Sequence, residues 1–294
     1  MRAKVLAEVR RYFHDEGFLE VETPSVVPNP GLDVHLDAFR VEGARDERWL
    51  ATSPEYQMKR LLAGGFERIV QVCRCFRQGE VGERHEPEFT MIEWYRTQAG
   101  AAELMHDTEQ LVARAATLLF GAPVVHGMDV TPPWPRITVR EAFRKYANAD
   151  ETELLRDEET FFRTYVDHVE PMLGKDGPVF VTEWPAQMAS LARLLPHDSA
   201  HADRFEAYAR GLELCNGFGE LTDAAEQRSR HEADRAARAA AGKPVYPLDE
   251  RFLGALEAGM PESGGNALGF DRLMMFLLGA DHIDDVVAFT QARL

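Results

Sequence analysis

The stretch Gln71–Arg96, QVCRCFRQGEVGERHEPEFTMIEWYR, places ionisable groups inside an otherwise apolar strand pattern. Residues 69–77 are apolar at both odd and even positions, which predicts a strand buried on both faces, and residues 89–96 predict a second strand. The mostly polar residues 78–87 join the two, so we expect a hairpin. Alternate side chains of the second strand share one face, and these are Phe89, Met91, Glu93 and Tyr95.

Ionisable side chains on buried strands need partners, because an unpaired charge in a core costs on the order of several kcal/mol. Arg77, Glu93 and Tyr95 are such side chains, and their partners are either one another or a ligand. The connecting loop carries more charge than a simple connection needs. Its ionisable residues are Glu80, Glu83, Arg84, His85 and Glu86.

Composition narrows the class of protein. The chain has 294 residues, enough for one large core, and it contains no apolar run long enough to span a membrane. Residues 1–13 mix charged and apolar side chains at helical spacing, unlike a secretory leader, so we expect a cytoplasmic protein. The 33 basic and 49 acidic residues give a net charge of -16, which argues against non-specific binding to a phosphate backbone.

The hairpin resembles motif 2 of class II lysyl-tRNA synthetases. The matching residues are Phe76, Arg77, His85, Pro87–Met91, Glu93 and Tyr95. With Trp94 and Arg96 included, the pattern is most similar to the synthetase-like family that ligates β-lysine to elongation factor P. The resemblance covers residues 2–294 and implies an α+β fold, in which an antiparallel sheet flanked by helices binds ATP and an amino acid. One departure is Gly79, where the synthetases place Glu two residues after the arginine.

Two further segments resemble the other motifs of this class. Residues 2–16 predict a helix that ends at Gly17, and a strand at residues 18–22 follows it, as in motif 1, which forms the dimer interface of class II enzymes. Residues 263–279 resemble motif 3, whose arginine binds the γ-phosphate. The resemblance therefore implies a homodimer and assigns Arg272 to ATP.

Ser53, Pro54 and Glu55 predict the start of a helix, since serine caps, proline suits the first turn and glutamate favours the positive end of the helix dipole. In the resembling family this Ser-Pro-Glu contacts the amino-acid substrate. We expect the three residues to serve both purposes.

The predicted hairpin at residues 204–217 contains two carboxylates. A tight turn near Ala209 and Arg210 would place Glu206 directly opposite Glu213. Two negative charges that face each other destabilise a sheet unless a cation lies between them. Mg²⁺ prefers a few carboxylates together with phosphate oxygens as its ligands. The alternative is an exposed edge hairpin with two solvated acids.

Residues 213–221, ELCNGFGEL, match the family pattern E-L-x-N-G-F-x-E-L position by position. The resemblance implies that Glu213 contacts metal and ATP, that Asn216 lies near the substrate carboxylate, and that Glu220 with Tyr95 holds the distal ammonium. Residues 223–241, charged and rich in alanine, predict a helix that covers the surface.

Taken together, these resemblances imply that Arg77 and Arg272 are catalytic residues. They also imply that Glu206 and Glu213 are Mg²⁺ ligands. The implied substrate-binding residues are Ser53, Pro54, Glu55, Glu93, Tyr95, Asn216, Phe218 and Glu220. The implied ATP-binding residues are Arg77, Gln78, Gly79, Arg84, His85, Phe89, Glu213, Leu214, Gly269 and Arg272.

The resemblance implies one catalytic domain over residues 1–294, with a small helical insertion at about 138–177 and no anticodon-binding domain. The implied activity is ATP-dependent activation of a lysine-type diamino acid, β-lysine favoured over α-lysine, and its transfer to a lysine of elongation factor P rather than to tRNA. Two alternatives remain open: a truncated lysyl-tRNA synthetase, and a regulatory module that kept the fold without the chemistry. The intact set Arg77, Glu206, Glu213 and Arg272 argues against the second.

Overall fold

A computed structural model describes residues 1–294. The helices are α1 Arg2–Asp15, α2 Glu55–Ala63, α3 Ala101–Phe120, α4 Val139–Ala142, α5 Glu151–Leu154, α6 Glu158–Thr164, α7 Ala224–Ala240, α8 Glu250–Gly259 and α9 Phe270–Leu278. The strands are β1 Leu19–Glu20, β2 Val26–Val27, β3 Trp49–Leu50, β4 Arg68–Phe76, β5 Glu88–Thr97, β6 Val124–Val125, β7 Met128–Asp129, β8 Arg136–Thr138, β9 Val179–Pro185, β10 Leu194–Leu195, β11 Asp198–Ala209, β12 Leu212–Gly219 and β13 Ser263–Gly269. None of the helices combines the length and the apolar character needed to cross a bilayer.

Nine strands form one sheet in the order β1-β4-β5-β13-β12-β11-β9-β8, with β10 paired to β11. All its pairings are antiparallel except those of the two edge strands, β1 with β4 and β8 with β9. Helices pack against this sheet, and the expected α+β class is confirmed.

The predicted hairpin is the pair β4 and β5, joined in a register that sets Cys75 opposite Phe89. On one face of β5, Ile92 and Trp94 are fully buried in the main apolar core with side chains of α1, α3 and α9. The alternation of the strand sends Glu93 and Tyr95 to the opposite face. One face thus stabilises the fold while the other is available for a site.

The loop between β8 and β9 is largely helical. Thr138 and Glu141 form a capping box: the Glu141 amide donates to Thr138 Oγ1 (3.1 Å) and the Thr138 amide donates to the Glu141 carboxylate (2.9 Å). The helical segment has its own apolar cluster, in which Phe143 and Phe161 pack with Trp184 of β9. This cluster fastens the segment to the end of the sheet.

The hairpin of β11 and β12 corrects one prediction. Glu206 pairs with Asn216, and Glu213 pairs with Tyr208, so Glu206 does not lie directly opposite Glu213. The turn consists of Arg210 and Gly211, both with positive φ (55° and 67°), one residue later than expected. A bulge between Ala207 and Tyr208 then shifts the register again.

Candidate active site

A cavity of about 410 Å³ lies on the polar face of the sheet, walled by β5, β12 and β13 and by residues at the start of α2 and α9. Every predicted site residue lines it except Pro54, Gln78 and Gly79. Pro54 caps α2 and is buried, and the Gln78 amide donates to the Asp37 carbonyl (2.7 Å). Most of the site residues predicted from the sequence therefore lie on one contiguous surface.

At one end of the cavity, Glu93 is held by two hydroxyl groups. Ser53 Oγ donates to one carboxylate oxygen (2.8 Å) and the Tyr95 hydroxyl donates to the other (2.6 Å). Burial raises the pKa of Glu93 to about 7, and the nearby Glu55 adds to the effect. Ser53 also accepts the Glu55 amide (3.1 Å), so it orients the acid next to the start of α2, although the cap of the helix is Pro54, one residue later than predicted.

A second acidic pair at this end is joined by a lysine. Lys59 Nζ lies 2.6 Å from Glu55 Oε1 and 2.5 Å from Glu220 Oε2, and its side chain is fully buried. Burial raises the pKa of Glu220 to about 8, while the Lys59 ammonium acts in the opposite direction. Lys59 is not among the residues predicted from the sequence, although it stands four residues after Glu55 on one helical face.

Gly265 of β13 makes room for this acidic end. A Cβ atom at this position would lie 2.2 Å from Glu220 Oε1 and 2.2 Å from Cε1 of Tyr95. Only a residue without a side chain permits the two groups to approach the strand this closely.

Arg77 is the cation in the middle of the cavity. Its guanidinium lies 5.0 Å from the centroid of the Phe89 ring, and its Nη1 is 3.6 Å from Glu80. The contact with Glu80 is too long for a strong charge-assisted hydrogen bond. Arg77 therefore retains donors for an anionic ligand.

The far end of the cavity is basic. Arg272 Nη1 donates to Glu213 Oε2 (2.9 Å) and to the Glu213 carbonyl (3.2 Å), and Nη2 contacts His85 Nε2. Burial and the Arg272 charge lower the pKa of His85, so the imidazole is a neutral acceptor. Arg84 lies beside them and donates to the Gly211 carbonyl (2.9 Å).

Glu206 and Glu213 both line the cavity despite the shifted register. Arg204 donates to Glu206 Oε1 (2.7 Å) and the Tyr208 hydroxyl donates to Oε2 (2.6 Å). Burial raises the pKa of Glu206 to about 7; Arg204 lowers it and Glu213 raises it further. Glu213 gives only one carboxylate oxygen to Arg272. This donor set is compatible with a divalent cation.

Helix α7, predicted to cover the surface, also contributes side chains to the cavity. Gln227 is 1% exposed and its side-chain amide has no partner, while His231 Nε2 lies 3.2 Å from the Tyr56 hydroxyl. Both line the cavity together with Asp234. The three residues are spaced by four and three positions, which places them on one face of a helix. This spacing is the sequence feature from which a shared orientation could have been predicted.

The arrangement suits a ligand with a cationic end and an anionic end. The acidic end can hold ammonium groups, Arg77 can bind a carboxylate or phosphate, and Arg272 with Arg84 can bind further phosphate oxygens. No cysteine lines the cavity, and burial raises the pKa of Cys215 to about 12. The site thus offers binding and charge stabilisation rather than a thiolate nucleophile.

Comparisons with known proteins point to the same family as the sequence motifs. The model of the family "tRNA synthetases class II (D, K and N)" matches residues 1–293. An elongation factor P–(R)-β-lysine ligase of Erwinia tasmaniensis is 44% identical, covering 99% of this chain and 94% of that protein, and the one of Edwardsiella ictaluri has the same values. The ligase of Photorhabdus laumondii is 43% identical over 98% of this chain and 93% of its own length. These matches confirm the resemblance drawn from the motifs, and the chain belongs to the class II tRNA synthetase family of the D, K and N type.

Proposed function

We propose that this protein activates a lysine-type diamino acid, β-lysine favoured, with ATP and transfers it to a lysine side chain of elongation factor P. The observation that carries the proposal is the division of one cavity into an acidic end and a basic end with Arg77 between them. The relatives named as elongation factor P–(R)-β-lysine ligases support the same activity.

In the first step, a carboxylate oxygen of the amino acid attacks the α-phosphorus of ATP, the bond to the β-phosphate oxygen breaks, and pyrophosphate leaves. Arg77 would bridge the carboxylate and the α-phosphate, and Arg272 would hold the terminal phosphate. Phe89 would stack on the adenine. Such a step depends mainly on positioning and on stabilisation of developing charge.

In the second step, the neutral ε-amine of the acceptor lysine attacks the carbonyl carbon of the acyl-adenylate. A new amide bond forms, the bond to the phosphate oxygen breaks, and AMP and one proton leave. No residue of this chain needs to form a covalent intermediate.

Glu206 and Glu213 would hold Mg²⁺. The free carboxylate oxygen of Glu213 and the proximity of the two acids support this assignment. Bound Mg²⁺ would supply positive charge to the phosphate oxygens of ATP. Arg204 and Tyr208 keep the Glu206 carboxylate oriented toward the cavity.

Ala267 favours the ligase over a truncated lysyl-tRNA synthetase. By the resemblance to these two families, glycine is usual at this position in the synthetases and alanine in the ligases; Ala267 adds a methyl group to the cavity wall, directly across from Glu93 in the sheet. The net charge of -16 supports a protein acceptor over tRNA, because a polyanion would approach an unfavourable field. A cytoplasmic location belongs to the proposal, because an elongation factor works where proteins are synthesised.

We further propose that residues 1–294 act as one catalytic domain, with the helical segment at about 138–177 as an insertion, and that the protein is a homodimer. The dimer proposal is supported by two apolar side chains, Leu19 (52% exposed) and Phe66 (40% exposed), which border one shallow depression next to α1.

Pyrophosphate exchange with α-lysine and with β-lysine tests the first step. We expect ATP-dependent exchange with a lower KM for β-lysine. Transfer tests the second step: radiolabelled β-lysine should label elongation factor P, and a variant with arginine in place of the acceptor lysine should stay unlabelled because guanidinium remains protonated. Efficient charging of tRNA-Lys with elongation factor P unlabelled would favour the truncated synthetase.

A further inference from the structure

The acidic end of the cavity contains one buried cation that the proposed chemistry does not use. Glu55, Glu93 and Glu220 supply three carboxylates, and Lys59 supplies one ammonium. Lys59 has no exposed surface and does not line the cavity. It is therefore placed to act on the acids rather than on a ligand.

Lys59 contacts one carboxylate oxygen of each of two acids, Glu55 Oε1 and Glu220 Oε2. It does not contact the second oxygen of either acid. Neither oxygen of Glu220 has a hydrogen-bond partner beyond the ion pair of Oε2 with Lys59, and Oε1 lies where a side chain at position 265 would otherwise stand. The lysine thus fixes the orientation of Glu220, a residue that lines the cavity and whose Oε1 is left without a partner.

We propose that Lys59 is a positioning residue that determines specificity, because its buried ammonium contacts both Glu55 and Glu220 and orients the two carboxylates for a substrate with two ammonium groups. The inference rests on the proposed function, and it places the two ammonium groups of the diamino acid at Glu55 and Glu220. It gives the acidic end a preference for diamino acids over amino acids with a neutral side chain.

No neighbouring group can replace the positive charge of Lys59. The groups that face Lys59 and Glu220 from other elements are Glu93 and Tyr95 of β5, His231 of α7 and the Phe252 ring of α8. Burial lowers the pKa of His231 to about 4 and, with the nearby acids, raises the pKa of Tyr95 well above its usual value, so both are neutral near pH 7. Burial lowers the pKa of Lys59, but Glu220 and Glu55 outweigh it and the net shift is upward, so Lys59 stays charged.

Lys59→Met tests the charge. Without the ammonium, the pKa of Glu220 should rise further, because Lys59 is the group that opposes the effect of burial. At pH 7 we expect the KM for lysine in pyrophosphate exchange to rise at least tenfold while the KM for ATP stays within twofold. The defect should shrink toward pH 9, as Glu220 ionises. Lys175→Met, at an exposed lysine, should match the wild type at both pH values.

A second comparison separates charge from fold. Glu220→Gln leaves Lys59 paired with Glu55 alone, as a partly compensated cation beside the substrate ammonium, whereas Glu220→Gln with Lys59→Met removes both members of a buried pair, which proteins tolerate better than loss of one. We expect the double variant to bind lysine at least threefold more tightly than Glu220→Gln alone, with the ATP KM unchanged. A purely structural role for Lys59 predicts no gain.

The inference is overturned if the folded Lys59→Met variant keeps the wild-type lysine KM at pH 7, or if the double variant binds lysine no better than Glu220→Gln. The comparison of the double variant with Glu220→Gln tests the inference even when Lys59→Met alone does not fold. Circular dichroism checks the folding of each variant. Absence of lysine-dependent exchange in the wild type would instead refute the proposed function itself.

Discussion

Glu213 and Glu206 are both acids of the cavity wall, but their surroundings differ. Glu206 gives both oxygens to Arg204 and Tyr208, while Glu213 keeps one oxygen free. Glu213 should therefore contribute more to holding a cation, and Glu206 more to shaping the wall.

Glu213→Gln keeps the volume of the side chain and removes its charge. We expect pyrophosphate exchange to fall about 10²-fold or more, on the scale of a lost preorganised electrostatic contact, with thermal unfolding little changed because Glu213 is partly exposed. Raising Mg²⁺ should recover part of the rate. If Glu213→Gln keeps the wild-type exchange rate at low Mg²⁺, Glu213 is not a ligand of the metal. Glu257→Gln, at an exposed position of α8, serves as the control.

The buried acids at the other end predict a pH dependence. Burial raises the pKa of Glu93 to about 7 and that of Glu220 to about 8, so both are largely protonated at pH 6 and become charged as the pH rises. The lysine side-chain ammonium keeps its charge in this range. We expect the KM for lysine to fall about tenfold or more from pH 6 to pH 8.5, while the KM for ATP changes much less. A lysine KM that is flat or rises with pH would contradict the assignment of these acids to the ammonium groups.

At the scale of elements, the site depends on how closely β13 approaches the side chains of its neighbours. Gly265→Ala would place a methyl carbon 2.2 Å from Glu220 Oε1 and from Tyr95 Cε1, so one of them must move. Overpacking of this kind costs about 1–3 kcal/mol, and we expect the lysine KM to rise by about tenfold to hundredfold, measured by exchange.

Gly254→Ala is the matched control for that change. Gly254 lies inside α8, nothing lies within 4 Å of its added Cβ, and alanine favours a helix. It should leave both KM values unchanged and raise the melting temperature slightly. An unchanged lysine KM in Gly265→Ala would mean that the close approach is not needed for binding.

The sequence predicts elements better than it predicts registers. The alternation in residues 88–97 and the polar loop before it are local, so the β4 and β5 hairpin could be predicted to within a residue or two at each end. The register of β11 and β12 depends on Arg210 adopting φ 55° and on a bulge, neither of which the pattern of side chains specifies. The pair of Lys59 with Glu220 joins α2 to the end of β12, and only the packed fold brings those elements together.

At the scale of the whole molecule, the chain presents apolar surface beside the two-residue edge strand β1. Leu19 belongs to β1, which pairs with β4 alone, and Phe66 follows α2 just before β4. Leu19 is 52% exposed and Phe66 is 40% exposed, around a depression that also includes Gly17 and Arg68. An exposed edge beside apolar side chains invites pairing with a second copy of the chain.

The proposed dimer can be tested at this surface. We expect the wild type to sediment as a dimer at about 10 μM, and Leu19→Asp with Phe66→Asp to sediment as a monomer, because two carboxylates would be buried without partners. Phe289→Asp, at a position 74% exposed near the C-terminus, should leave the dimer intact. A monomeric wild type would refute the dimer, and a dimeric double variant would locate the interface elsewhere. Since every named residue of the cavity comes from one chain, a folded monomeric variant should retain measurable pyrophosphate exchange.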